Sequence, residues 1–322
     1  MPMLLTLGLC GITFSGADVG GFLGKGGGYD DPDAELFTRW FQVGSYQPFF
    51  RGHAHHDSTR REPWTWDEAT THRLRRIAMR RYQLLSYWYT LFFVSESTGL
   101  PTMRPLWVSY PHETRTFDND KQFMAGGDLM VAPVHQKGST SQSVFFPGTA
   151  PWYDVLDGAS FDGGTEATVD APLDKIPAFQ RGGSIIPRQM RARRSSAQMS
   201  HDPYTLTVAP DASGGAIGRL YMDEGDGYAY RRGGYAYRKY VYESGVLTSF
   251  ALHTDSQYTP MNLLERVELL MPADAAAELS AVMLLRGGET RALDFSYLAA
   301  TRRLVVRAPA VPMADDWKIS FA

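Results

Sequence analysis

The chain has 322 residues, of which 43% are hydrophobic and 21% are charged. These proportions are ordinary for a globular protein, and the length suffices for about two or three domains. The formal net charge is −3, so no basic excess indicates a nucleic acid or an anionic membrane as a partner. No apolar stretch approaches the roughly 20 residues that a membrane-spanning helix requires.

The first dozen residues form an apolar run that contains Cys10, the single cysteine of the chain. One cysteine excludes an internal disulfide framework, and its apolar surroundings predict a buried, unreactive thiol. The run has no basic residue before Lys25, which argues against a secretory signal peptide. We instead expect the end of a helix at residues 2–9 and a buried strand at residues 11–15, so that the sequence starts inside a domain.

Strands and helices alternate over the first hundred residues. Pro32 and Asp33 provide start signals for a helix at residues 33–43, whose apolar residues recur at helical spacing. Residues 47–51 are a strand candidate, and residues 69–96 have the periodicity of one long helix. This order of strand, helix, strand and helix predicts an α/β parallel sheet or barrel.

The pattern changes after Pro101. Short apolar runs then alternate with Gly and Pro turns, which predicts an antiparallel β domain, followed by a polar linker or crossing loop at residues 188–202. Further strands extend to the end of the chain and indicate a second β sandwich. We expect three domains, at residues 1–103, 104–190 and 191–322.

Asp18 follows the first strand candidate within the sequence Gly16-Ala17-Asp18-Val19-Gly20-Gly21-Phe22. In a β/α barrel the functional residues lie at the carboxyl ends of the strands. A carboxylate at that point can accept hydrogen bonds from sugar hydroxyls or orient a basic neighbour. The alternative is an Asx turn or a helix cap at a glycine-rich corner.

Arg51 and His53 follow the second strand candidate with i, i+2 spacing, which places both side chains on one side. Two basic donors on one side suit a polyhydroxylated substrate or a carboxylate partner, whereas an Arg51–Asp18 salt bridge would have a structural role. His53, His55, His56 and Asp57 also allow a metal site. A sugar-binding loop is favoured, because no second ligand cluster follows another strand candidate.

Two other motifs lack residues that a phosphate-binding loop or a calcium loop requires. The glycine-rich stretch 20–26 lacks the Gly-Lys-Ser/Thr of a phosphate-binding loop. The acidic stretch 223–227 lacks the glutamate at position twelve of a calcium loop, and a tight turn between strands is the better interpretation.

The stretches 16–22 and 50–53 resemble the seventh- and eighth-strand motifs of glycoside hydrolase family 31, the retaining α-glucosidases. Residues 54–57 and 60–64 resemble the branch that trims glucose from N-linked glycans in the endoplasmic reticulum. Similar motifs continue at residues 103–107, 152–154, 177–187 and 221–225. The resemblance implies the C-terminal part of a TIM (β/α)8 barrel followed by two antiparallel β sandwiches.

By this resemblance, Phe22 packs against the glucose in subsite −1 and His53 hydrogen-bonds its hydroxyls. Asp18 and Arg51 line or support the same pocket. The substrate would be an α-glucoside or a glucosylated N-glycan, with no cofactor and no metal. A regulatory β subunit and a location in the endoplasmic reticulum lumen are implied by the resemblance alone, since the chain has no retention signal of its own.

The family's nucleophile lies in a Trp-x-Asp-Met-Asn-Glu-Pro-like motif and its acid/base in a Gly-Asp-Asn-like motif, and neither occurs in this sequence. We therefore expect a fragment that lacks catalytic residues and is inactive alone, with both motifs upstream. The insert at residues 24–31 is longer than the usual loop of the family. Two alternatives stay open: a non-catalytic carbohydrate-binding or scaffold module, and a metal-dependent hydrolase that uses His53 and His55.

Overall fold

A computed structural model describes residues 1–24 and 28–322 of the chain. Part of the insert at residues 24–31, and of the glycine-rich stretch 20–26, therefore lies outside the described residues. The fold divides into two units. The first unit comprises Met1–Arg81, Val94–Thr149 and Asp162–Phe179, and the second comprises Tyr82–Phe93, Ala150–Phe161 and Gln180–Ala322.

The described residues form six α-helices and nineteen strands. The helices are α1 (Pro2–Leu9), α2 (Ala34–Gly44), α3 (Glu68–Gln83), α4 (Leu85–Thr98), α5 (Leu106–Ser109) and α6 (Ala273–Ala277). The strands up to residue 188 are β1 (Met103–Arg104), β2 (Phe123–Ala125), β3 (Leu129–Val131), β4 (Ser141–Phe146), β5 (Trp152–Asp154), β6 (Ser160–Phe161), β7 (Thr165–Asp170), β8 (Ala178–Arg181) and β9 (Ser184–Arg188).

The remaining strands are β10 (Tyr204–Ala209), β11 (Ala216–Asp223), β12 (Tyr235–Glu243), β13 (Val246–Ala251), β14 (Leu263–Leu270), β15 (Val282–Arg286), β16 (Glu289–Ala292), β17 (Phe295–Leu298), β18 (Arg303–Pro312) and β19 (Trp317–Phe321). Within residues 1–24 and 28–322, no helix combines the length and the apolar character needed to cross a membrane.

Helix α2 confirms the prediction for residues 33–43. The Asp33 carboxylate accepts a hydrogen bond from the Leu36 amide at 2.8 Å and so caps the helix. Phe37 and Phe41 are buried one turn apart, and the Phe37 ring stacks on Trp66 at 5.0 Å. These contacts form a small core with Val19 and with residues of α3.

The two strands predicted in the first unit, at residues 11–15 and 47–51, are not strands in the structure. The Phe49 amide donates to the Ser15 carbonyl at 3.2 Å, and the Val19 amide donates to the Arg51 carbonyl at 2.9 Å. These are single cross-links between two irregular segments. The prediction was wrong because an apolar run does not specify which groups its backbone will bind.

Two further predictions for this region were wrong. The expected helix at residues 69–96 is interrupted at Leu84, between α3 and α4. The Gln83 carbonyl there accepts the Gln189 amide at 3.2 Å, a tertiary bond that competes with helix continuation. Cys10 is exposed instead of buried, since it follows the end of α1, whose buried residues are Leu4, Leu5 and Gly8.

Antiparallel strands continue the first unit, in agreement with the predicted β region. Strand β2 pairs with β1 and with β3, and β4 pairs with β7. All residues of β2 and β3 are buried, as expected for strands covered on both faces. Strands β3 and β4 lie in the region that the sequence predicted to be an antiparallel β domain.

The second unit contains an 11-stranded sheet in the order β16-β15-β19-β13-β12-β11-β9-β10-β14-β18-β17. Of its ten neighbouring strand pairs, β10–β14 and β9–β11 are parallel and the other eight are antiparallel. Buried side chains from all strands of this sheet except β16 and β17, among them Tyr240 and Trp317, pack into one core.

The prediction of a tight turn between strands at residues 223–227 was also wrong. The connection between β11 and β12 runs from residue 224 to residue 234 and contains a 3₁₀ helix at Ala229–Arg232. The Asp223 carboxylate accepts bonds from the Tyr89 and Tyr221 hydroxyls and from the Gly225 amide. These bonds hold the start of the long loop that joins the antiparallel strands β11 and β12.

Within the first unit, Arg39 of α2 binds the loops beside β4 and β7. Its guanidinium donates to the carbonyls of Ser139, Ala171, Pro172 and Lys175 at 2.8–3.3 Å. Burial lowers the pKa of Arg39 from its ordinary value. The cost of desolvating this cation is offset by four charge-assisted bonds.

We predict that Arg39→Ala lowers the free energy of unfolding by about 2 kcal/mol, because four carbonyls lose a charged donor. Thermal unfolding monitored by circular dichroism measures the effect. Arg75→Ala is the matched control, since Arg75 is exposed on α3 and should change stability by less than about 0.5 kcal/mol. Equal stability of the two variants would contradict this account of Arg39.

Candidate functional site

Two irregular segments of the first unit lie side by side and carry all four residues predicted for the site. Residues 18–22 are joined to residues 51–55 at both ends. The Val19 amide donates to the Arg51 carbonyl at 2.9 Å, and the His55 amide donates to the Phe22 carbonyl at 2.8 Å. The structure therefore brings Asp18, Phe22, Arg51 and His53 together.

Asp18 and Arg51 form an ion pair, as one of the two sequence interpretations expected. Asp18 Oδ1 accepts Arg51 Nε at 2.9 Å and Nη2 at 2.7 Å. The Asp18 side chain is 17% exposed and that of Arg51 is 50% exposed. A pair this open to water contributes at most about 1 kcal/mol to stability, so its main effect is to orient both groups.

Phe22 and His53 form the second pair. Their ring centroids lie 5.4 Å apart with an interplanar angle of 36°, and His55 meets the edge of Phe22 at 6.0 Å. Phe22 is 41% exposed, which is unusual for a phenylalanine in a packed segment. An exposed apolar ring beside an imidazole offers one stacking surface and one hydrogen-bonding group to a ligand.

A cavity of about 470 Å³ opens beside this pair in the first unit. Its apolar wall includes Phe37, Phe41 and Phe50, and its polar wall includes His53 and residues 58–62. Trp64 also lines the cavity and is 70% exposed. This volume lies in the range of small-molecule sites, and the mixed lining suits a ligand with apolar faces and polar edges.

Arg61 is a site residue that the sequence interpretation missed. Its Nη1 donates to the Gly20 carbonyl at 2.9 Å, and its Nη2 donates to the Gly21 carbonyl and, at 3.5 Å, to the His53 carbonyl. One side chain thus connects the segment of Phe22 to the segment of His53. Burial lowers the pKa of Arg61 from its ordinary value, although nearby Asp31 and Asp18 oppose that shift.

The absence of a side chain at Gly20 allows Arg61 to approach this backbone segment closely. Its φ of +91° suits glycine, and a Cβ there would lie 2.8 Å from the Phe37 ring and 3.0 Å from Arg61 Nη1. The sequence around residue 61 does not single out Arg61 as a site residue, because Arg60 and Arg61 are adjacent and chemically identical. Arg60 is exposed and pairs only with Glu62 among the bonds described for it.

The histidines outside the pair lie in a separate cluster. Ligand atoms of His55, His56 and Asp57 lie within 4.8 Å of one another, and His53 is not part of that group. His56 Nε2 lies 3.2 Å from Asp57 Oδ1, and both side chains are exposed. The metal alternative that uses His53 with His55 therefore does not match the group formed by the described residues.

The N-terminal helical segment and the antiparallel strands that follow it match two parts of one enzyme family. Residues 1–91 match the TIM-barrel domain of glycosyl hydrolases family 31, and residues 99–186 match the family's C-terminal domain. Together these matches cover more than half of the chain. The chain belongs to glycosyl hydrolase family 31.

Its similarity to individual members extends over the whole chain. It is 45% identical to a probable glucan 1,3-alpha-glucosidase of Arabidopsis thaliana, covering 100% of this chain and 35% of the relative. It is 39% identical to neutral alpha-glucosidase AB of Homo sapiens, covering 99% and 33% respectively. The chain thus spans about a third of the length of these relatives.

Solved structures of family 31 enzymes are also similar to this chain. A crystal structure of a glucosidase II alpha subunit in a Glc1Man2-bound form superposes with a TM-score of 0.92 at 34% identity, covering 100% of this chain and 36% of that one. A family 31 dextranase of Flavobacterium johnsoniae, complexed with glucose, gives a TM-score of 0.81 at 25% identity, covering 99% and 41%. The similarity confirms the predicted fold class, the end of a TIM barrel followed by β-sandwich structure.

We predict that Arg61→Met destabilises the protein by about 2 kcal/mol, because three carbonyls lose their donor while the aliphatic volume is retained. Arg60→Met is the matched control and should change stability by less than about 0.5 kcal/mol. Chemical denaturation followed by tryptophan fluorescence measures both, since Trp64 and Trp66 lie close by in the chain. Equal midpoints for the two variants would refute the role assigned to Arg61.

Proposed function

We propose that this chain is the C-terminal portion of a retaining α-glucosidase that hydrolyses terminal α-linked glucose. The supporting observation is the 39–45% identity to proteins named as α-glucosidases, which extends over 99–100% of the chain. The similarity includes the segments that carry the four predicted site residues. A site of paired aromatic and polar groups is what a single sugar ring requires.

In this proposal the four residues divide the recognition of one glucose unit between them. The exposed Phe22 ring packs against the apolar face of the sugar, and the neighbouring His53 imidazole hydrogen-bonds its hydroxyls. Asp18 and Arg51 line or support the same pocket and orient each other through their ion pair. Arg61 holds the carbonyls behind Phe22 and His53, so it positions both without contacting the sugar.

The chemical step needs groups that this sequence does not supply. Retaining hydrolysis uses two carboxyl groups about 5–5.5 Å apart, one as nucleophile and one as acid/base. The motifs that carry them in the family do not occur in these 322 residues. We therefore assign the present residues to binding and positioning, and we place the nucleophile and the acid/base upstream in the complete polypeptide.

The physiological substrate follows from the relatives by analogy. One structural relative is a glucosidase II alpha subunit bound to Glc1Man2, and another is an endoplasmic reticulum glucosidase II complex of a catalytic subunit with the binding domain of a regulatory subunit. We propose N-glycan trimming in the endoplasmic reticulum lumen, with a regulatory β subunit as partner. We further propose the domain boundaries 1–103, 104–190 and 191–322.

The test is the activity of the polypeptide purified from its native source. Hydrolysis of an aryl α-glucoside with release of α-glucose as the first product would support a retaining α-glucosidase. Product anomers are distinguished by nuclear magnetic resonance. Absence of turnover from the source polypeptide would remove the proposed function and favour a non-catalytic carbohydrate-binding module.

We predict that His53→Ala in this source polypeptide lowers kcat/KM about 100-fold, because a hydrogen bond to the reacting sugar is lost. The melting temperature should stay within about 2 °C, since the His53 side chain is exposed. His201→Ala is the control, because His201 is also exposed and belongs to the second unit. Unchanged kinetics for His53→Ala would exclude His53 from the site.

A further inference from the structure

A second cavity, of about 330 Å³, lies entirely within the second unit. Its walls are Tyr89 from α4, Asp223 at the end of β11, and residues of the connection between β11 and β12, including Asp226, Tyr228 and Tyr230. It shares no lining residue with the cavity beside His53. The role proposed for Asp18, Phe22, Arg51 and His53 leaves this cavity unexplained.

Asp223 fixes one wall of the cavity. The Tyr89 hydroxyl lies 2.8 Å from both carboxylate oxygens, and the Tyr221 hydroxyl donates to Oδ2 at 2.9 Å. The Gly225 amide donates to Oδ1 at 2.8 Å. Since the Tyr89 hydroxyl donates its hydrogen to Asp223, its oxygen can act towards a ligand only as an acceptor. Burial and the adjacent Asp223 raise the pKa of Tyr89, which keeps the phenol protonated.

Tyr228 forms a flat and open wall. It is 69% exposed, far more than a tyrosine that packs into a core. The Arg231 guanidinium lies over its ring at 4.7 Å and holds it in place from one face. Tyr89 is 42% exposed, so two aromatic surfaces of the cavity are open to a ligand.

The charges of the lining select the class of ligand. Two carboxylates, Asp223 and Asp226, line the cavity, and no Lys, Arg or His is among its described lining residues. Arg231 contacts the Tyr228 and Tyr230 rings but is not itself a lining residue, so the two carboxylates at the cavity wall disfavour an anionic ligand such as a phosphate ester. Open aromatic rings beside carboxylate and phenol oxygens instead suit a neutral ring that stacks its apolar face and donates hydroxyl hydrogens.

We propose that this cavity is a second carbohydrate-binding site that holds one neutral hexose unit of a glucan or glycan chain. Tyr228 supplies the stacking surface, and Asp226 and the Tyr89 oxygen accept bonds from sugar hydroxyls. The Gly225 and Gly227 backbone, at φ of +77° and +74°, has no side chains to obstruct the ligand. Such a site would hold a polymeric or branched substrate on the second unit without taking part in bond cleavage.

Affinity electrophoresis of the source polypeptide in native gels with soluble dextran or glycogen tests this proposal. These polysaccharides are neutral, so retardation reports binding and requires no turnover. We expect Tyr228→Ala and Asp226→Asn each to weaken the apparent affinity about tenfold. Phe117→Ala is the matched control, because Phe117 is an aromatic residue of the first unit that is 53% exposed, and it should leave retardation unchanged.

Three outcomes would overturn the proposal. The first is retardation that is equal in the wild type, Tyr228→Ala and Asp226→Asn. The second is loss of retardation in His53→Ala alone, which would assign all binding to the cavity of the first unit. The third is binding of choline, measured by calorimetry, that depends on Tyr228 while neither polysaccharide retards the protein. That result would make this cavity a cation site. Aryl α-glucoside turnover, measured separately, decides the proposed function independently of these results.

Discussion

Guanidinium groups that bind backbone carbonyls are the contacts on which the first unit depends. Arg81 donates to the carbonyls of Ser45, Gln47 and Pro48 at 2.7–3.3 Å, in a segment that forms no strand. Arg39 and Arg61 make equivalent bonds to other loops. A buried carbonyl without a donor is costly, and the five N–H groups of arginine can serve several carbonyls at once. Burial lowers the pKa of Arg81 to about 10, so the cation persists at neutral pH.

This arrangement determines how the candidate site is built. Phe22 and His53 lie on irregular segments, which would be loosely held if side-chain contacts alone positioned them. Arg61 binds the carbonyls of Gly20, Gly21 and His53, so it fixes the backbone beneath both rings. A site of this kind depends on supporting residues that never contact the ligand, in agreement with the general need for a well-held supporting shell.

The sequence predicted those features that have local causes. The cap formed by Asp33 and the apolar spacing of α2 lie within one short segment, and the helix was predicted correctly. The family motifs indicated the fold class and brought Asp18 and Arg51 into one expected site. The break at Leu84 depends on the Gln189 amide, about a hundred residues away, which no local pattern reports. Arg61 was missed for a similar reason, because only the fold distinguishes it from Arg60.

The Asp18–Arg51 ion pair also shows that structural and functional interpretations of one residue need not compete. Both bonds from Arg51 end on Asp18 Oδ1, so they orient the carboxylate while Oδ2 takes no part in the pair. An oriented carboxylate loses little conformational entropy when it accepts a hydroxyl group, which favours binding. A salt bridge here is therefore what a preorganised sugar site would require.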